Sequence, residues 1–308
     1  MAVEPQPDVL PTNLPRGGRR RLDLTTPSLL GLPLAWLVVF FLVPIGFVGA
    51  YSVDALHGIS LSGETHGLTL AAWHDFLHSS VYLGLFWKSV KMSLIVSAII
   101  VLLAYPLGYY LALSGTKRKY VLLLMLIAPF LTSYLLRVLA WKVILGNQGV
   151  VNTFFFWTGL RSPDDPISQL LYSRFAVILV LGYIWLPFVA LPIFVSLEGL
   201  DRRLLEAASD LGASRWQSFR RVTLPLSLPG VAAAFLFVFI PTLGEFVTPS
   251  LVGGTSGYMY GNQIVDLFAT GFPDWRTGSV LAIFLLAVVG ALTVVFARFL
   301  QPRQVAAG

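Results

Sequence analysis

The stretch EGLDRRLLEAASDLGASRWQSFRRVTLPLSLPG, residues 198–230, separates two long apolar runs, and its pattern indicates how the chain is organised. Asp201 is suited to cap the start of a helix. The apolar residues that follow repeat at the spacing of one helix face: Leu204, Leu205, Ala208 and Leu211. Gly212 comes next, where a helix C-terminus favours a residue that adopts positive φ. The first half of the stretch therefore predicts a short helix that ends at a glycine.

A second short helix is predicted directly after this turn. Ser214-Arg-Trp-Gln217 has the form of a capping box, and Pro225 and Pro229 mark the entry of the next apolar run. The stretch is thus a helix–turn–helix with an apolar and a basic side. From periodicity alone, an amphipathic connector that rests on lipid head groups is a full alternative to a functional segment.

The composition indicates an integral membrane protein. Of the 308 residues, 56% are hydrophobic and 12% are charged, and the mean hydropathy is +0.78. A soluble domain carries about a quarter charged residues, so this chain has too little charge to cover a soluble surface. It contains no cysteine, which excludes disulfides, thiolate catalysis and cysteine-ligated metals.

The apolar runs predict six spanning helices, because a helix needs about 20 predominantly apolar residues to cross a bilayer. The runs are residues 29–51, 92–113, 121–143, 175–197, 228–252 and 279–297. They are continuous, whereas a membrane β-barrel would show alternating segments of about ten residues. We therefore predict an all-α membrane domain over residues 29–300, in which residues 198–227 form the loop between the fourth and fifth runs. Residues 1–28 are polar, proline-rich and basic, which indicates a disordered tail. Residues 48–50 resemble a signal cleavage site, but an uncleaved first span fits the run better.

The loop charges predict that both termini lie in the cytoplasm. Alternate loops hold most of the basic residues: Arg16, Arg19, Arg20 and Arg21; Lys117, Arg118 and Lys119; Arg202, Arg203, Arg215, Arg220 and Arg221; Arg298 and Arg303. The opposite loops hold fewer basic residues and more acidic ones. The basic residues are Arg161, Arg174 and Arg276, with Lys88 and Lys91 at a span entrance, and the acidic ones are Asp54, Glu64, Asp75, Asp164, Asp165, Asp266 and Asp274. Basic loops stay preferentially on the cytoplasmic side.

The outer loop before the second run contains a predicted interfacial helix, residues 70–77, with its apolar side on the membrane. His74 and His78 are spaced i, i+4 and could share a metal ion. No third ligand is evident in the sequence, so surface histidines are the favoured interpretation.

The basic loop resembles the EAA signature of the permease subunits of binding-protein-dependent ABC importers. The matching residues are Glu206-Ala207-Ala208, Gly212, Val222 and Leu224-Pro225, with Val222 in place of the isoleucine of the family. The resemblance implies the MetI-like, type I importer fold, in which this loop contacts a separate ATPase. It assigns the ATPase-coupling role to Glu206, Ala207, Ala208, Gly212, Ser214 and Trp216.

Softer motifs are similar to the spermidine/putrescine branch of these permeases. They are Tyr105–Tyr110, Arg137–Trp141, Gly146–Asn152 and Gly244–Gly253. Relatives that import ferric iron, opines or amino-acid derivatives share parts of them, so these solutes remain alternatives to polyamines. The resemblance also implies a location in the bacterial inner membrane.

The resemblance implies an assembly with a second, related permease, two cytoplasmic ATPase subunits and an extracytoplasmic solute-binding protein. The sequence contains no G-x-x-x-x-G-K-[ST] motif, so ATP and Mg²⁺ are expected on the partner ATPase. We expect no cofactor and no catalysis in this chain. An ion-coupled secondary transporter is the main rival, and it would be expected to carry more carboxylates inside its spans.

Two ionisable residues in predicted spans are candidates for the substrate pathway. Arg137 and Glu245 lie 16 and 17 residues past the predicted cytoplasmic ends of their spans, an advance of about 24–26 Å along a helix. At similar depth they could form a structural ion pair. Alternatively, Glu245 faces the pathway and attracts an ammonium group, because charges inside a bilayer usually face a bundle interior or a pathway. Lys142 is expected to extend toward the lipid interface.

Aromatic residues could add cation–π contacts to a polyamine. The candidates are Tyr134, Trp141, Tyr183 and Trp185. Packing or anchoring at the membrane interface is the alternative for each of them.

Overall fold

A computed structural model describes residues 25–55, 68–113, 118–269, 271 and 273–300. Within these ranges the chain is helical and contains no strand, which confirms the all-α prediction. Residues 1–24 of the predicted tail lie outside the described residues, whereas residues 25–28 belong to the first helix. The chain divides into two compact units, residues 1–47 and 48–308, and each is described by itself.

Thirteen α-helices are present in the described ranges. They are α1 Thr25–Ser52, α2 Ala71–His78, α3 Ser80–Leu113, α4 Lys119–Ile127, α5 Tyr134–Leu145, α6 Val150–Trp157, α7 Arg174–Glu198, α8 Arg202–Asp210, α9 Arg215–Ser218, α10 Leu224–Leu243, α11 Gly254–Gly257, α12 Tyr260–Ala269 and α13 Trp275–Leu300. Short 3₁₀ turns occur at Ala128–Leu131 and Ser168–Leu170, and π-helical turns at Phe219–Thr223 and Pro249–Gly253.

Five helical segments in the described chain are long and apolar enough to cross a membrane: Gly31–Ser52, Ser80–Leu113, Arg174–Glu198, Arg215–Leu243 and Trp275–Arg298. A sixth span is present if the bent pair Lys119–Leu131 and Tyr134–Trp157 counts as one. The structure thus contains five or six spans, and the predicted number of six corresponds to counting the bent pair as one broken span. The orientation of the termini stays a prediction from the loop charges.

The third predicted span, residues 121–143, is not one continuous helix. α4 tightens into the 3₁₀ turn at Ala128, the backbone is extended at Thr132, and α5 begins after a bend of 87°. Pro129 lies at the start of the 3₁₀ turn, where its missing N–H removes one hydrogen bond of the α-helical pattern. The carbonyl of Pro129 instead accepts the Thr132 hydroxyl at 2.6 Å.

The fifth predicted span, residues 228–252, also departs from the prediction. α10 begins four residues earlier and ends at Leu243, and a non-helical segment precedes the π-turn that starts at Pro249. Gly244 terminates the helix, with φ −94° and ψ 7°. Glu245 therefore lies beyond the end of α10, and a depth calculated from a continuous helix does not apply to it.

The main core of the second unit consists of α3, α7 and α10, which pack along their lengths. Gly230 of α10 lies against Ser196 of α7, where an added Cβ would lie 2.2 Å from the serine Cβ. Small residues permit such close approach where spanning helices cross. The Tyr105 hydroxyl of α3 also lies 2.9 Å from the Ser227 hydroxyl of α10. These contacts fix three spans around one apolar centre.

A second core lies around α2, α12 and the N-terminal ends of α3 and α13. Its buried members are Ala72, Phe76, Phe86, Tyr260, Val280 and Leu281. The predicted interfacial helix is present as α2, and Ala72 and Phe76 form its buried side. The sequence placed this apolar face on the membrane, but in the structure it packs on other helices of the chain, because Phe86 and Tyr260 offer it an apolar surface.

Candidate functional site

The basic loop forms the predicted helix–turn–helix. The Asp201 carboxylate accepts the Arg203 N–H at 3.0 Å and caps α8. Gly212 ends this helix with φ +82°, and the N–H groups of Gly212 and Ala213 donate to the carbonyls of Ser209 and Ala208 at 2.9 and 3.0 Å. This pair of bonds is a Schellman motif, which requires a left-handed residue that glycine supplies most easily.

The capping box that opens α9 is also confirmed. The Ser214 hydroxyl accepts the Gln217 N–H at 3.3 Å, and the Gln217 side chain accepts the Ser214 N–H at 2.9 Å. Beyond α9 the chain widens into the π-turn Phe219–Thr223 and continues into α10. The loop is therefore capped by its own side chains and runs directly into a span.

The outer surface of this loop exposes the residues to which the EAA resemblance assigns a role. Glu206, Ala207, Gly212, Ser214 and Trp216 are exposed, and Ala208 is half-buried. Apolar side chains lie beside them, with Leu211 89% and Trp216 67% exposed. Exposed apolar groups with a charged rim are typical of a surface that binds another protein.

Two contacts connect this loop to the spans. The Trp216 ring stacks on Phe219 with centroids 5.4 Å apart, and Phe219 meets Tyr105 and Tyr109 of α3 edge-on at 5.9 and 5.7 Å. Lys119 at the start of α4 forms an ion pair with Glu198 at the end of α7. The loop is thereby joined to α3 by aromatic contact, and the end of α7 that enters the loop is joined to α4 by an ion pair.

The breaks in the third and fifth spans meet inside the bundle. Tyr134 is the first residue of α5, and its hydroxyl lies 2.6 Å from that of Thr248, which follows the break after α10. Irregular backbone within the membrane is tolerated where protein buries it or where it lines a cavity, and broken helices often form transporter binding sites. The paired breaks are therefore the candidate translocation site.

Glu245 lies at this junction. One of its carboxylate oxygens accepts the Thr248 N–H at 3.1 Å, which caps the helical turn after the break. Because the C-terminal end of α10 carries partial negative charge, Glu245 and this helix end together make the break attractive to a cation.

Arg137 and Glu245 do not form the structural ion pair that the sequence left open. Among the ion pairs between described residues, none joins these two side chains. The Arg137 guanidinium instead lies over the Phe130 ring, 4.3 Å from its centroid. Arg137 is 8% exposed, and its Nε has no hydrogen-bond partner in the described part of the chain. A cation–π contact replaces the expected salt bridge.

The other three aromatic candidates, Trp185, Trp141 and Tyr183, lie in two separate clusters. Trp185 packs with Phe188 and Phe237, and Phe188 contacts the Phe130 ring that carries Arg137. Trp141 and Tyr183 form a separate edge-to-face pair with centroids 5.4 Å apart. Lys142 lies 5.8 Å from the ring centroid of Tyr172. Of the four aromatic candidates, only Tyr134 forms a hydrogen bond between the two breaks in the described part of the chain.

The structure adds residues that the sequence did not indicate. Thr248 and Phe130 are the partners of Tyr134 and Arg137. The available signals were Pro129 and Pro249, which mark the breaks, but proline occurs in several other spans and does not single these two out.

The two histidines of α2 stack on one another with centroids 4.1 Å apart. The His78 ring contacts the His74 carbonyl through Nδ1 at 2.8 Å. Within the described residues, no group of three or more His, Asp or Glu side chains is arranged to hold a metal ion.

Comparison with known proteins identifies relatives over most of the chain. Residues 104–305 match the family described as binding-protein-dependent transport system inner membrane component. The spermidine/putrescine transport system permease protein PotB of Escherichia coli K12 is 38% identical over 218 residues, which cover 71% of this chain and 78% of PotB. PotB of Haemophilus influenzae is 36% identical over 264 residues, covering 86% and 90%.

A solved structure has a similar fold. A chain of the bacterial alginate ABC transporter, solved in complex with alginate pentasaccharide-bound periplasmic protein, superposes with a TM-score of 0.68 over 89% of this chain and 93% of that chain. The identity is 18%, so this likeness concerns the fold alone.

Proposed function

Because this chain belongs to the family of binding-protein-dependent transport system inner membrane components, we propose that it forms half of the pathway of an ATP-driven importer for polyamines. It is an inner-membrane permease subunit of the ABC importer class. Permeases of this class are transport components, and ATP hydrolysis belongs to a separate subunit. The chain therefore contributes the pathway and the coupling surface.

The proposed partner of the basic loop is a cytoplasmic ATPase. The exposed Leu211 and Trp216, together with the EAA residues beside them, present an apolar and charged surface to that subunit. ATP and Mg²⁺ would bind there, since this chain has no P-loop motif. A second, related permease would complete the pathway, and a solute-binding protein would deliver substrate on the opposite side.

One observation supports the assignment of a cationic substrate: Glu245 lies at the break directly after α10, and it forms no ion pair with a basic side chain among the described residues. A charged side chain inside a bilayer is costly and usually pairs with an opposite charge. An ammonium group that enters the pathway would offset this cost. Polyamines carry several such groups, and the likeness to PotB supports the same substrate class. Opines, other amino-acid derivatives and ferric iron are the alternative solutes.

The proposed cycle is alternating access. Closure of the ATPase dimer on ATP would move the basic loop, and the contacts of Phe219 and the Lys119–Glu198 pair would pass this movement to α3, α4 and α7. Hydrolysis would then reset the spans. The paired breaks are suited to this task, since non-helical segments absorb backbone rotation at low cost.

Purification and transport in reconstituted vesicles test the class of transporter. We expect a partner ATPase to co-purify with this chain from detergent, and uptake to need ATP but no ion gradient. Uptake that follows a proton or sodium gradient without ATP would instead support a secondary transporter.

Neutralisation of Glu245 tests the substrate class. We expect Glu245→Gln to reduce spermidine and putrescine uptake strongly while the amount of assembled complex is unchanged. Asp75→Asn removes a carboxylate from the exposed surface of α2 and serves as the control. A binding assay of the partner solute-binding protein with polyamines, amino-acid derivatives and ferric iron gives an independent answer. If that protein bound ferric iron alone, the polyamine assignment would be wrong.

A further inference from the structure

The side chain of Asn262 is buried against the break in the fifth span. It is 3% exposed, and all of its polar atoms are engaged. Its Nδ2 donates to the Phe246 carbonyl at 2.9 Å and to the Ser250 hydroxyl at 2.6 Å, while its Oδ1 accepts the Met259 N–H at 3.0 Å. A buried amide that is fully hydrogen-bonded holds its partners in one arrangement.

Gly261, the residue before Asn262, approaches the same break through its backbone. An added Cβ on Gly261 would lie 2.5 Å from the Gly244 carbonyl oxygen and 2.7 Å from that of Glu245. Glycine is required here because only a residue without a side chain permits two backbones to approach so closely. The N-terminal turn of α12 is therefore seated directly on the segment that carries Glu245.

α12 is itself fixed to the other spans. The Tyr260 N–H donates to the Ser89 hydroxyl of α3 at 2.7 Å, and the Tyr260 hydroxyl donates to the Leu281 carbonyl of α13 at 3.1 Å. Tyr260 is fully buried. Asn262 thus connects a rigid anchor to Phe246, the immediate neighbour of Glu245.

We infer that Asn262 is a positioning residue, which sets the location of the Glu245 carboxylate in the pathway and thereby the preference of the permease for cationic solutes. The inference rests on the proposed function, because it assumes that Glu245 contacts an ammonium group of the substrate. Asn262 itself does not contact the substrate in this scheme. It acts through the turn that Glu245 caps.

The test compares two solutes that differ in charge. Uptake of putrescine and of N-acetylputrescine is measured at saturating concentration in vesicles with the complete complex and one binding protein. The ratio of the two rates does not depend on the amount of complex, and the preference of the binding protein is common to all variants. The variants are Glu245→Gln, Asn262→Leu and their combination, and Gln263→Met is the control. Gln263 is the next residue of α12, and its contact is to the Tyr258 hydroxyl rather than to the break.

We expect Glu245→Gln to lower the ratio about tenfold, as the loss of a charge-assisted contact would. Asn262→Leu should lower it about three- to tenfold, since a small displacement of a positioned group has effects of this size. Gln263→Met should leave it unchanged, and Asn262→Leu should have no further effect in the Glu245→Gln background.

The outcomes separate the two proposals. A lower ratio for Glu245→Gln with a normal ratio for Asn262→Leu overturns the positioning role and leaves the proposed function intact. An equal effect of Asn262→Leu in both backgrounds also overturns it, because Asn262 then does not act through Glu245. An unchanged ratio for Glu245→Gln contradicts the proposed pathway role of Glu245 and the inference together.

Discussion

The hydroxyls of Tyr134 and Thr248 lie 2.6 Å apart and join the breaks in two different spans. Tyr134 starts the helix after the first break, and Thr248 lies in the turn that Glu245 caps after the second. This hydrogen bond is a direct side-chain link between the two breaks. This contact is therefore expected to matter for transport more than for overall stability.

Removal of the Tyr134 hydroxyl tests this expectation. Tyr134→Phe should cost about 1 kcal/mol of stability, the usual net contribution of one hydrogen bond. It should lower the rate of uptake severalfold while the melting temperature of the complex falls by only a few degrees. Thr248→Val should give the same result, and the double variant should be no worse than either single one. Transport assays and thermal unfolding of the purified complex provide the measurement. Tyr110→Phe is the control, because the Tyr110 residue is 58% exposed. Strictly additive effects of the two changes would show that the hydroxyls act independently.

Gly212 is expected to be essential for coupling. Its φ of +82° costs a residue with a side chain about 1–2 kcal/mol, enough to lower the population of the native turn about 5- to 30-fold. Gly212→Val should therefore reduce uptake while ATP hydrolysis by the partner continues and expression stays normal. An added Cβ meets nothing within 4 Å, so the effect is one of backbone alone.

Gly159 provides a matched control for this change. Its φ is +70° and the space around it is equally open, but it lies in the loop after α6 and outside the basic loop. Gly159→Val should disturb its own turn without changing the ratio of transport to hydrolysis. If Gly212→Val transported substrate normally, the loop would not be the coupling segment.

The ion pair between Lys119 and Glu198 should contribute to coupling rather than to stability. Both side chains are partly exposed, and ion pairs in contact with solvent contribute little to stability. Lys119→Glu and Glu198→Lys should each raise the ATP hydrolysed per substrate imported, and the double exchange should restore much of the original ratio. Arg161 and Asp165 form an exposed pair in the loop after α6, and their exchange is the control. Failure of the double exchange to restore coupling would contradict a role for the pair itself.

The sequence was sufficient for the features that depend on local chemistry. Asp201, Gly212 and Ser214 cap their helices as their types and spacing predict, because capping involves residues within a few positions of each other. The number of spans follows from composition in the same way. The EAA spacing could be read for the same reason, since it lies in one continuous segment.

Long-range geometry could not be predicted in this way. Arg137 and Glu245 were placed at equal depth on continuous helices, but both spans are interrupted before these residues, so Arg137 packs on Phe130 instead. Asn262 gave no signal, because its partners are 12 and 16 residues away and meet it only through the fold. Tertiary contacts decide where a break in a span is tolerated.

The close contact of Gly261 with the break gives the last prediction. A methyl group at this position would lie 2.5 Å from the Gly244 carbonyl oxygen, and backbone atoms on both sides cannot move aside as a flexible side chain can. Gly261→Ala should therefore push α12 away from the break and destabilise the complex by about 1–3 kcal/mol, the usual cost of overpacking. Uptake should fall as Glu245 is displaced. Gly290→Ala in α13 is the control, because an added Cβ there meets nothing within 4 Å; it should leave both the melting temperature and uptake close to those of the original chain. Equal stability and equal uptake for the two variants would contradict the seating of α12 on the break, and with it the anchor on which the position of Glu245 depends.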